Sequence, residues 1–273
     1  MRRSILTIAL FACVLILPVS AQSQTPAAPA AQAQASPPAW QPPKRRRIVL
    51  MRHGDVSYFD ASGQPTANAD LVVLSDKGKA QADAAGRYLA SIGAAKFDRI
   101  MSSHLPRTIE TAERVMAAGA IAGTLKQVPE LREIRNGSTR SVATPDLPAV
   151  LLGIAQPRVP ADMKFIGGET IGEMQARVYA AVDTLLQDET WDNALLVLHS
   201  VVNSAIVSRV LGGDGAFLGR FESTAGCMHI LDTAAKPGDW IVRAYNLCPN
   251  GAEYQGERLH TAEKLLIQAL KGR

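Results

Sequence analysis

Two hydrophobic periods alternate along the chain from residue 46 onward. Short apolar runs, of the length typical of buried strands, are followed by segments in which apolar residues recur as they do on one face of an amphipathic helix. The predicted strands are Ile48–Met51, Arg99–Ser102, Ala194–Leu198, and a hairpin of Met228–Leu231 with Trp240–Tyr245. The predicted helices are Lys77–Ile92, Pro106–Ala118, Ile171–Leu186, Val202–Leu211 and Arg258–Leu270. This alternation predicts an α/β fold, a three-layer α/β/α sandwich with a mainly parallel central sheet.

The N-terminal segment does not follow this pattern. Two arginines precede an apolar run from Ile5 to Val19, and small residues follow as far as Ala21, which is the layout of a secretory signal peptide. We expect residues 1–21 to be removed on export, which predicts a periplasmic or secreted protein. An uncleaved membrane anchor and a lipid-modified Cys13 are the alternatives, and only these would place the chain at a membrane.

Residues 22–45 are predicted to form a disordered linker. The stretch is rich in Ala, Gln and Pro and carries no charge as far as Pro43, so it cannot bury enough apolar surface to fold alone. Residues 46–273 are then the predicted folded domain.

Net charge gives little reason to expect a nucleic-acid partner. The chain has 29 Lys+Arg and 25 Asp+Glu, a formal charge of +4 and an isoelectric point near 9.0. Loss of residues 1–21 removes two arginines and no acid, which leaves 27 basic against 25 acidic residues. Part of the remaining excess lies in Lys44–Arg47, which we interpret as a solvated domain edge.

Two cysteines remain after removal of the signal, Cys227 and Cys248. They flank the predicted hairpin, so antiparallel pairing of its strands would bring them near each other. An exported protein can hold a disulfide there. Two buried free thiols are the alternative that the sequence leaves open.

Basic side chains follow two of the predicted strands. Arg52-His53-Gly54 comes directly after the first strand, and His199-Ser200 comes after the strand Ala194–Leu198. Ligands of parallel α/β sheets collect at the carboxyl ends of the strands. We therefore expect the two histidines to face each other at one edge of the sheet, opposite an anion.

Arg107 lies in the first turn of the predicted helix Pro106–Ala118. A cation at that position opposes the helix dipole unless an anion binds there too. Arg52 and Arg107 would then hold phosphate oxygens through their forked donors. A surface ion pair is the alternative interpretation of Arg107.

Six ordered segments resemble one family. They are LMRHGD, LSDKGKAQADAAGRYL, SSHLPRTIETAE, PELREIRNG, GGETIGEMQARV and LLVLHS. In this order they resemble the histidine phosphatase superfamily, branch 1, which includes phosphoglycerate mutases and many small phosphatases. The resemblance covers about residues 46 to 250, and it implies a phosphoglycerate mutase-like fold and a catalytic domain at residues 46–273.

The resemblance implies a role for each matching residue. His53 is the nucleophile that accepts the phosphoryl group, while Arg52, Arg107 and His199 hold the oxygens on which charge spreads during transfer. Gly54 is expected to belong to the phosphate-binding site, where it gives the backbone room beside the phosphate. No metal and no cofactor is implied.

A carboxylic acid must protonate the leaving oxygen. The segment PELREIRNG offers Glu130 and Glu133, and the family's Leu-x-Glu spacing falls on Glu133. Glu130 is interpreted as an exposed salt-bridge partner.

The chain departs from the family pattern in two places. Ser200 stands where the family usually has glycine, so the backbone there must avoid positive φ or tolerate strain, and its hydroxyl is a candidate phosphate ligand. The segment Val56–Asp60 lacks the asparagine by which mutases contact the transferred phosphate. A phosphatase is therefore favoured over a mutase-like phosphotransferase, and a non-catalytic phosphoryl-binding module is the alternative from another class.

The substrate is expected to be a small phosphate ester or a phosphorylated envelope component, and phosphohistidine on proteins is also open. Residues 138–165 carry few Lys or Arg, are predicted to lie over the pocket, and argue against highly phosphorylated ligands. The sequence does not indicate an oligomeric state. Residues given no catalytic role are Thr170 with Glu173, a predicted capping box; Arg177, a predicted structural ion pair; and His104, His229 and His260.

Overall fold

Six strands form one central sheet in the computed structural model, which describes residues 40–212, 215–234, 236, 238–249, 251 and 258–271. The strands are β1 (Arg45–Arg52), β2 (Arg99–Ser102), β3 (Leu125–Gln127), β4 (Asn193–Leu198), β5 (Met228–Ala234) and β6 (Trp240–Leu247). The predicted signal peptide and residues 22–39 of the predicted linker lie outside the described residues. From Pro42 onward the described chain forms one compact unit.

The sheet is mainly parallel, as predicted. Its order is β3-β2-β4-β1-β5-β6, and the first four of these strands run parallel to one another. The hairpin β5-β6 adds an antiparallel edge beside β1. Strands β1 and β4 are direct neighbours, with Arg52 opposite Leu198, so the residues that follow them emerge side by side.

Helices cover both faces of the sheet. They are α1 (Asp76–Ser91), α2 (Pro106–Ala118), α3 (Leu147–Leu152), α4 (Ile171–Gln187), α5 (Ser200–Gly212) and α6 (Thr261–Lys271). Alternate residues of β1 enter opposite cores, because successive strand side chains point to opposite faces. Val49 packs in the core that includes Leu89 of α1, and Leu50 packs in the core that includes Val178 of α4. The predicted three-layer sandwich is therefore confirmed.

The basic run Lys44–Arg47, most of which belongs to β1, differs from the predicted solvated domain edge. Strand β1 already includes Arg45, the last residue of the predicted linker, and Arg45 pairs with Asp239 at 2.8 Å. Arg46 is 6% exposed, donates to the carbonyls of Leu186 and Asp188, and lies over the ring of Trp191. Through these contacts the basic run holds the start of β1 against neighbouring elements.

Cys227 and Cys248 form a disulfide at the open end of the β5-β6 hairpin, with Cα atoms 4.4 Å apart. Met228 pairs with Leu247, so the hairpin register places the two cysteines on adjacent strand ends. Of the two alternatives that the sequence left open, the structure has the disulfide.

None of the helices among the described residues combines the length and the apolarity that a bilayer crossing requires.

Candidate active site

His53 follows β1, and its ring is held in one tautomer. The residue is 1% exposed, and Nδ1 lies 2.7 Å from the carbonyl oxygen of Gly54. Because a carbonyl oxygen can only accept, Nδ1 carries the proton and Nε2 keeps the lone pair of a nucleophile. Burial, with the charges of Arg107 and Arg52, holds the pKa of His53 well below its usual value. The imidazole is therefore neutral at neutral pH.

His199 follows β4 and faces His53, as expected for residues after neighbouring parallel strands. The ring centroids are 5.3 Å apart, with the rings edge to face. Nε2 of His199 lies 2.7 Å from Ser103 Oγ, while Nδ1 is buried and has no hydrogen-bond partner among the described residues. Burial, and then the charge of Arg107, lowers the pKa of His199 as well.

Arg52 and Arg107 are both buried, at 8% and 3% exposed. Arg52 Nη1 donates to the carbonyl of Ser223 at 2.6 Å, and Arg107 Nη1 donates to the carbonyl of Ala69 at 3.1 Å. The Nε atom of each guanidinium is buried without a hydrogen-bond partner in the described part of the chain. Buried donors are costly when unpaired, so these two suit an anion that accepts from both.

The start of α2 has the features of an anion site. Its N-cap residue, Leu105, offers no side-chain hydrogen bond, and its first turn contains no acidic residue. Free backbone N–H groups and the helix dipole attract negative charge at such a terminus. Because Arg107 is buried here, the alternative of a surface ion pair does not describe it.

Glu133 lies beside the start of α5. Its Oε2 accepts a hydrogen bond from the Val201 amide at 3.2 Å, and its Oε1 accepts one from the Ile134 amide at 3.0 Å. The carboxyl group is thereby held in a fixed orientation, and the residue lines a cavity together with Arg52 and Arg107. Glu130 is exposed, as the sequence analysis expected.

Glycine is needed at position 54 because the backbone of α1 passes very close to it. A Cβ on Gly54 would lie 2.4 Å from the carbonyl oxygen of Gly78, and a Cβ on Gly78 would lie 2.1 Å from that of Asp55. The amide of Gly54 donates to Thr111 Oγ1 at 3.1 Å, so it is engaged inside the protein and is not directed at a phosphate oxygen. Asp55, which had no predicted role, accepts from Ser75 Oγ at 2.8 Å. The two glycines therefore allow the backbone after β1 to contact the backbone at the start of α1.

Ser200 is the first residue of α5 and lines the same cavity as Glu133. It is not among the described non-glycine residues with positive φ. The substitution of serine for the family's glycine is therefore accommodated without backbone strain.

The C-terminal helix contributes a contact that the sequence analysis missed. Thr261, at the start of α6, accepts from Arg52 Nη1 at 3.0 Å and donates its own hydroxyl and amide hydrogens to Glu222. Burial opposes ionisation of Glu222, but Arg52 and Thr261 together hold its pKa below the usual value. The carboxylate lies 3.7 Å from Arg52 Nη1 and so fixes the guanidinium from outside.

The remaining polar residues have structural contacts. Thr170 and Glu173 form the predicted capping box at the start of α4. Arg177 pairs with the buried Glu169 at 2.8 Å, which confirms a structural ion pair. His229 is fully buried, and its Nδ1 accepts from the Asn246 amide at 3.0 Å. His260 Nε2 lies 3.3 Å from Glu222.

Two cavities meet at this cluster. The larger, of about 570 Å³, is lined by Arg52, Arg107, Glu133 and Ser200 among others. The smaller, of about 370 Å³, is lined by Arg52 and His53. Four residues line both cavities: Arg52, Tyr58, Thr261 and Leu265.

The arrangement combines a neutral nucleophile, buried donors for an oxyanion, and a carboxyl group. Such a site suits transfer of a phosphoryl group, in which catalysis rests on positioning and on electrostatic stabilisation of the equatorial oxygens. Among the described residues, no group of three His, Cys, Asp or Glu side chains is placed to hold a metal ion.

Comparison with curated proteins finds relatives of two kinds. A 2-carboxy-D-arabinitol-1-phosphatase of Triticum aestivum is 29% identical over 198 residues, which are 71% of this chain and 38% of the wheat protein. The chain thus spans well under half of that relative. A Salmonella paratyphi A protein named "Probable phosphoglycerate mutase GpmB" is 30% identical over 168 residues, 61% of this chain and 75% of that protein.

Comparison with solved structures supports the fold. The mycobacterial glucosyl-3-phosphoglycerate phosphatase superposes with a TM-score of 0.60 at 22% identity, over 74% of this chain and 99% of that one. At this identity the likeness concerns the fold alone. The family profile described as histidine phosphatase superfamily (branch 1) matches residues 48–247, which include His53, Arg107, Glu133 and His199. This chain therefore belongs to branch 1 of the histidine phosphatase superfamily.

Proposed function

We propose that this protein is an exported phosphomonoesterase that hydrolyses phosphate esters through a phosphohistidine on His53, with Glu133 as the proton donor. One observation carries the proposal. The neutral His53, with its Nε2 lone pair available, lies beside three buried nitrogen atoms that have no hydrogen-bond partner among the described residues: Nε of Arg52, Nε of Arg107 and Nδ1 of His199. Phosphatase or mutase-like phosphoryl transfer is the activity of its family, and the relatives' names include both kinds.

The first step is in-line displacement at phosphorus. His53 Nε2 forms a bond to phosphorus while the bond from phosphorus to the ester oxygen breaks, and that oxygen takes the electron pair. Glu133 gives its proton to the oxygen, which leaves as an alcohol. The carbonyl of Gly54, which accepts from Nδ1, stabilises the positive charge that the ring gains.

The second step returns the enzyme to its starting state. Glu133, now a carboxylate, takes a proton from water as the water oxygen bonds to phosphorus. The bond from phosphorus to Nε2 breaks, and inorganic phosphate leaves. Arg52, Arg107 and His199 donate to the equatorial oxygens in both steps, where negative charge is spread.

Transfer to water is favoured over transfer to a second substrate. The segment Val56–Asp60 lacks the asparagine by which mutases contact the transferred phosphate. It provides Tyr58 instead, whose ring centroid lies 5.7 Å from the guanidinium carbon of Arg107. A non-catalytic binding module would need neither a nucleophile nor an acid, and this chain has retained both.

Two features support export. The N-terminal segment has the layout of a signal peptide, and Cys227 and Cys248 form a disulfide, which persists in oxidising compartments. Cell fractionation, with N-terminal sequencing of the purified protein, tests this part separately. A mature chain that begins at Gln22 supports it, and a cytosolic chain that retains Met1 contradicts it.

The central experiment traps the intermediate. Enzyme mixed with a ³²P-labelled phosphate ester and quenched in denaturant should carry label that is stable to base and labile to acid. His53→Ala should abolish both label and turnover, whereas His104→Ala should retain them. Unchanged turnover in His53→Ala would refute the mechanism.

A further inference from the structure

The larger cavity has an extended apolar wall away from the phosphate-binding residues, opposite a set of polar lining residues. Its volume is about 570 Å³, within the range of roughly 300–1,000 Å³ that buries a drug-sized ligand. A phosphoryl group would occupy only the end near Arg52 and Arg107. The apolar part of the wall consists chiefly of Phe59, Leu151, Ile154, Phe165, Ile166 and Leu265.

The position of the acid assigns this cavity to the leaving group. In-line displacement places the nucleophile and the leaving oxygen on opposite sides of phosphorus. His53 lines the smaller cavity, and Glu133, which must reach the leaving oxygen, lines the larger one. The alcohol part of the ester therefore extends into the larger cavity.

Two of the cations in the wall of this cavity already contact carboxylates. Arg132 forms a two-oxygen pair with Asp70, at 2.8 and 3.0 Å, and Arg135 pairs with Glu169 at 3.1 Å. Arg140 is exposed. A second strongly anionic group on the substrate would therefore have to compete with carboxylates that hold Arg132 and Arg135.

One wall residue is held in a strained backbone conformation. Ile166 has φ 53° and ψ 34°, in the left-handed region that β-branched residues rarely adopt, and it is 6% exposed. A Cβ on Gly137 would lie 1.8 Å from the Ile166 carbonyl oxygen, so tight backbone packing keeps the turn in place. Strain of this kind persists where the surrounding structure imposes it, and it clusters at functional sites.

We infer that the substrates are monoesters of bulky, predominantly apolar alcohols, whose hydrocarbon part packs against Phe59, Phe165, Ile166 and Leu265. This inference rests on the proposed function and goes beyond it by naming the leaving-group class. Small polar phosphates bind only at the arginine end, and highly charged ones gain nothing from the apolar wall.

A series of n-alkyl phosphates from ethyl to octyl, kept below their micelle concentrations, measures the apolar contact directly. The leaving groups beyond propyl have similar acidity, so chemistry contributes little to the trend. kcat/KM should rise by about fourfold for each methylene that the cavity buries. A flat or falling series, or glycerol 2-phosphate turned over better than octyl phosphate, would overturn the inference.

Two adjacent leucines of α6 provide a matched pair of variants. Leu265 lines both cavities, whereas Leu266 packs against the core and is not part of the lining of either. Leu265→Ala should lower kcat/KM for octyl phosphate roughly tenfold, with less than about a twofold change for ethyl phosphate. Leu266→Ala should leave the ratio of octyl to ethyl phosphate unchanged. Equal ratios in the two variants would count against the assignment.

Ile166→Gly is a second variant, because glycine accepts φ 53° without strain. It should lower the ratio of octyl to ethyl phosphate severalfold. That ratio does not depend on the fraction of folded enzyme, so partial unfolding cannot imitate the effect. An unchanged ratio in both Leu265→Ala and Ile166→Gly would refute the assigned wall.

Two further experiments distinguish a lipid phosphate from a soluble ester, and failure of the leaving-group inference from failure of the phosphatase mechanism. Dodecyl phosphate in phosphatidylcholine vesicles distinguishes a lipid phosphate from a soluble ester, and hydrolysis of either supports the inference. If acetyl phosphate labels His53 but no alkyl phosphate is preferred over glycerol 2-phosphate, the leaving-group inference fails and the phosphatase mechanism stands. If no donor labels His53, the mechanism itself fails.

Discussion

The hydroxyl oxygen of Ser103 lies 2.7 Å from Nε2 of His199, and Ser103 is fully buried. The same oxygen lies 2.8 Å from Thr108 Oγ1, so a chain of hydroxyl groups contacts the imidazole on one side. Nδ1 of His199 has no hydrogen-bond partner among the described residues, so it stays available for the phosphoryl group of the proposed mechanism. We therefore predict that Ser103 acts as a positioning residue for His199.

Ser103→Ala should reduce kcat roughly fivefold with little change in KM, because one hydrogen bond that orients the ring is worth about 1 kcal/mol. Ser102→Ala is the matched control. Ser102 is equally buried and precedes Ser103, but its hydroxyl donates to the Ser103 carbonyl at 2.8 Å. Similar kcat losses in both variants would mean that Ser103 acts only through stability, which thermal unfolding of both would reveal.

The sequence predicted the fold well where the hydrophobic period was strong. Helix α2 has the predicted bounds, β4 extends its prediction by one residue, and β1 extends its prediction by four. Strand β3 was missed because it has only three residues, two of them exposed. Helix α3 was missed because six residues are too few to display a period.

The residues of the site likewise fall into those that the sequence predicted and those that it did not. Residues that directly follow a strand were predictable from position, and Ser103 could have been found by that rule because it follows β2. Thr261 reaches Arg52 from 209 positions along the chain, and Glu222 lies between elements without a motif. No local pattern encodes such contacts, since they depend on how α6 packs on the rest of the domain, including helix α3.

Glu133→Gln should affect substrates according to their leaving group. An alkyl phosphate needs a proton on its departing oxygen, so its turnover should fall about 10²–10⁴-fold. The leaving group of p-nitrophenyl phosphate departs as a stable phenolate without protonation, so turnover of this substrate should fall far less. The comparison requires kcat/KM for both substrates.

Glu130→Gln is the control, since Glu130 is exposed and three positions away. It should leave both substrates within about twofold of wild type. Equal losses on the two substrates in Glu133→Gln would contradict a role as general acid and would point to substrate binding instead.

Acid should destabilise the fold through its buried histidines. Burial lowers the pKa of His229 to about 4, and the pKa values of His53 and His199 are also lowered. The unfolded chain binds protons near pH 6.5, so it holds more protons than the native state between pH 6.5 and about 4. Stability is therefore complete above pH 6.5 and declines as the pH falls through that window.

For His229 alone the full loss is roughly 3 kcal/mol. Urea unfolding at pH 7.5 and 4.5 should show a smaller difference in the free energy of unfolding for His229→Gln than for wild type. An identical pH dependence in His229→Gln and wild type would contradict the prediction.

Reduction of Cys227–Cys248 should lower the free energy of unfolding. The bond closes a loop between residues 21 positions apart, and cross-linking a loop of that length restricts the unfolded chain enough to contribute about 3 kcal/mol. Guanidinium unfolding with and without dithiothreitol should show this difference in wild type. The double variant Cys227→Ala/Cys248→Ala should resemble reduced wild type and should not respond to dithiothreitol.

Because the disulfide joins the ends of the hairpin that flanks β1, and Arg52 donates hydrogen bonds beside it, we also expect reduced enzyme to show a higher KM before it unfolds. Intact mass that rises by two hydrogens on reduction confirms the bond itself, and an unchanged mass would show free thiols.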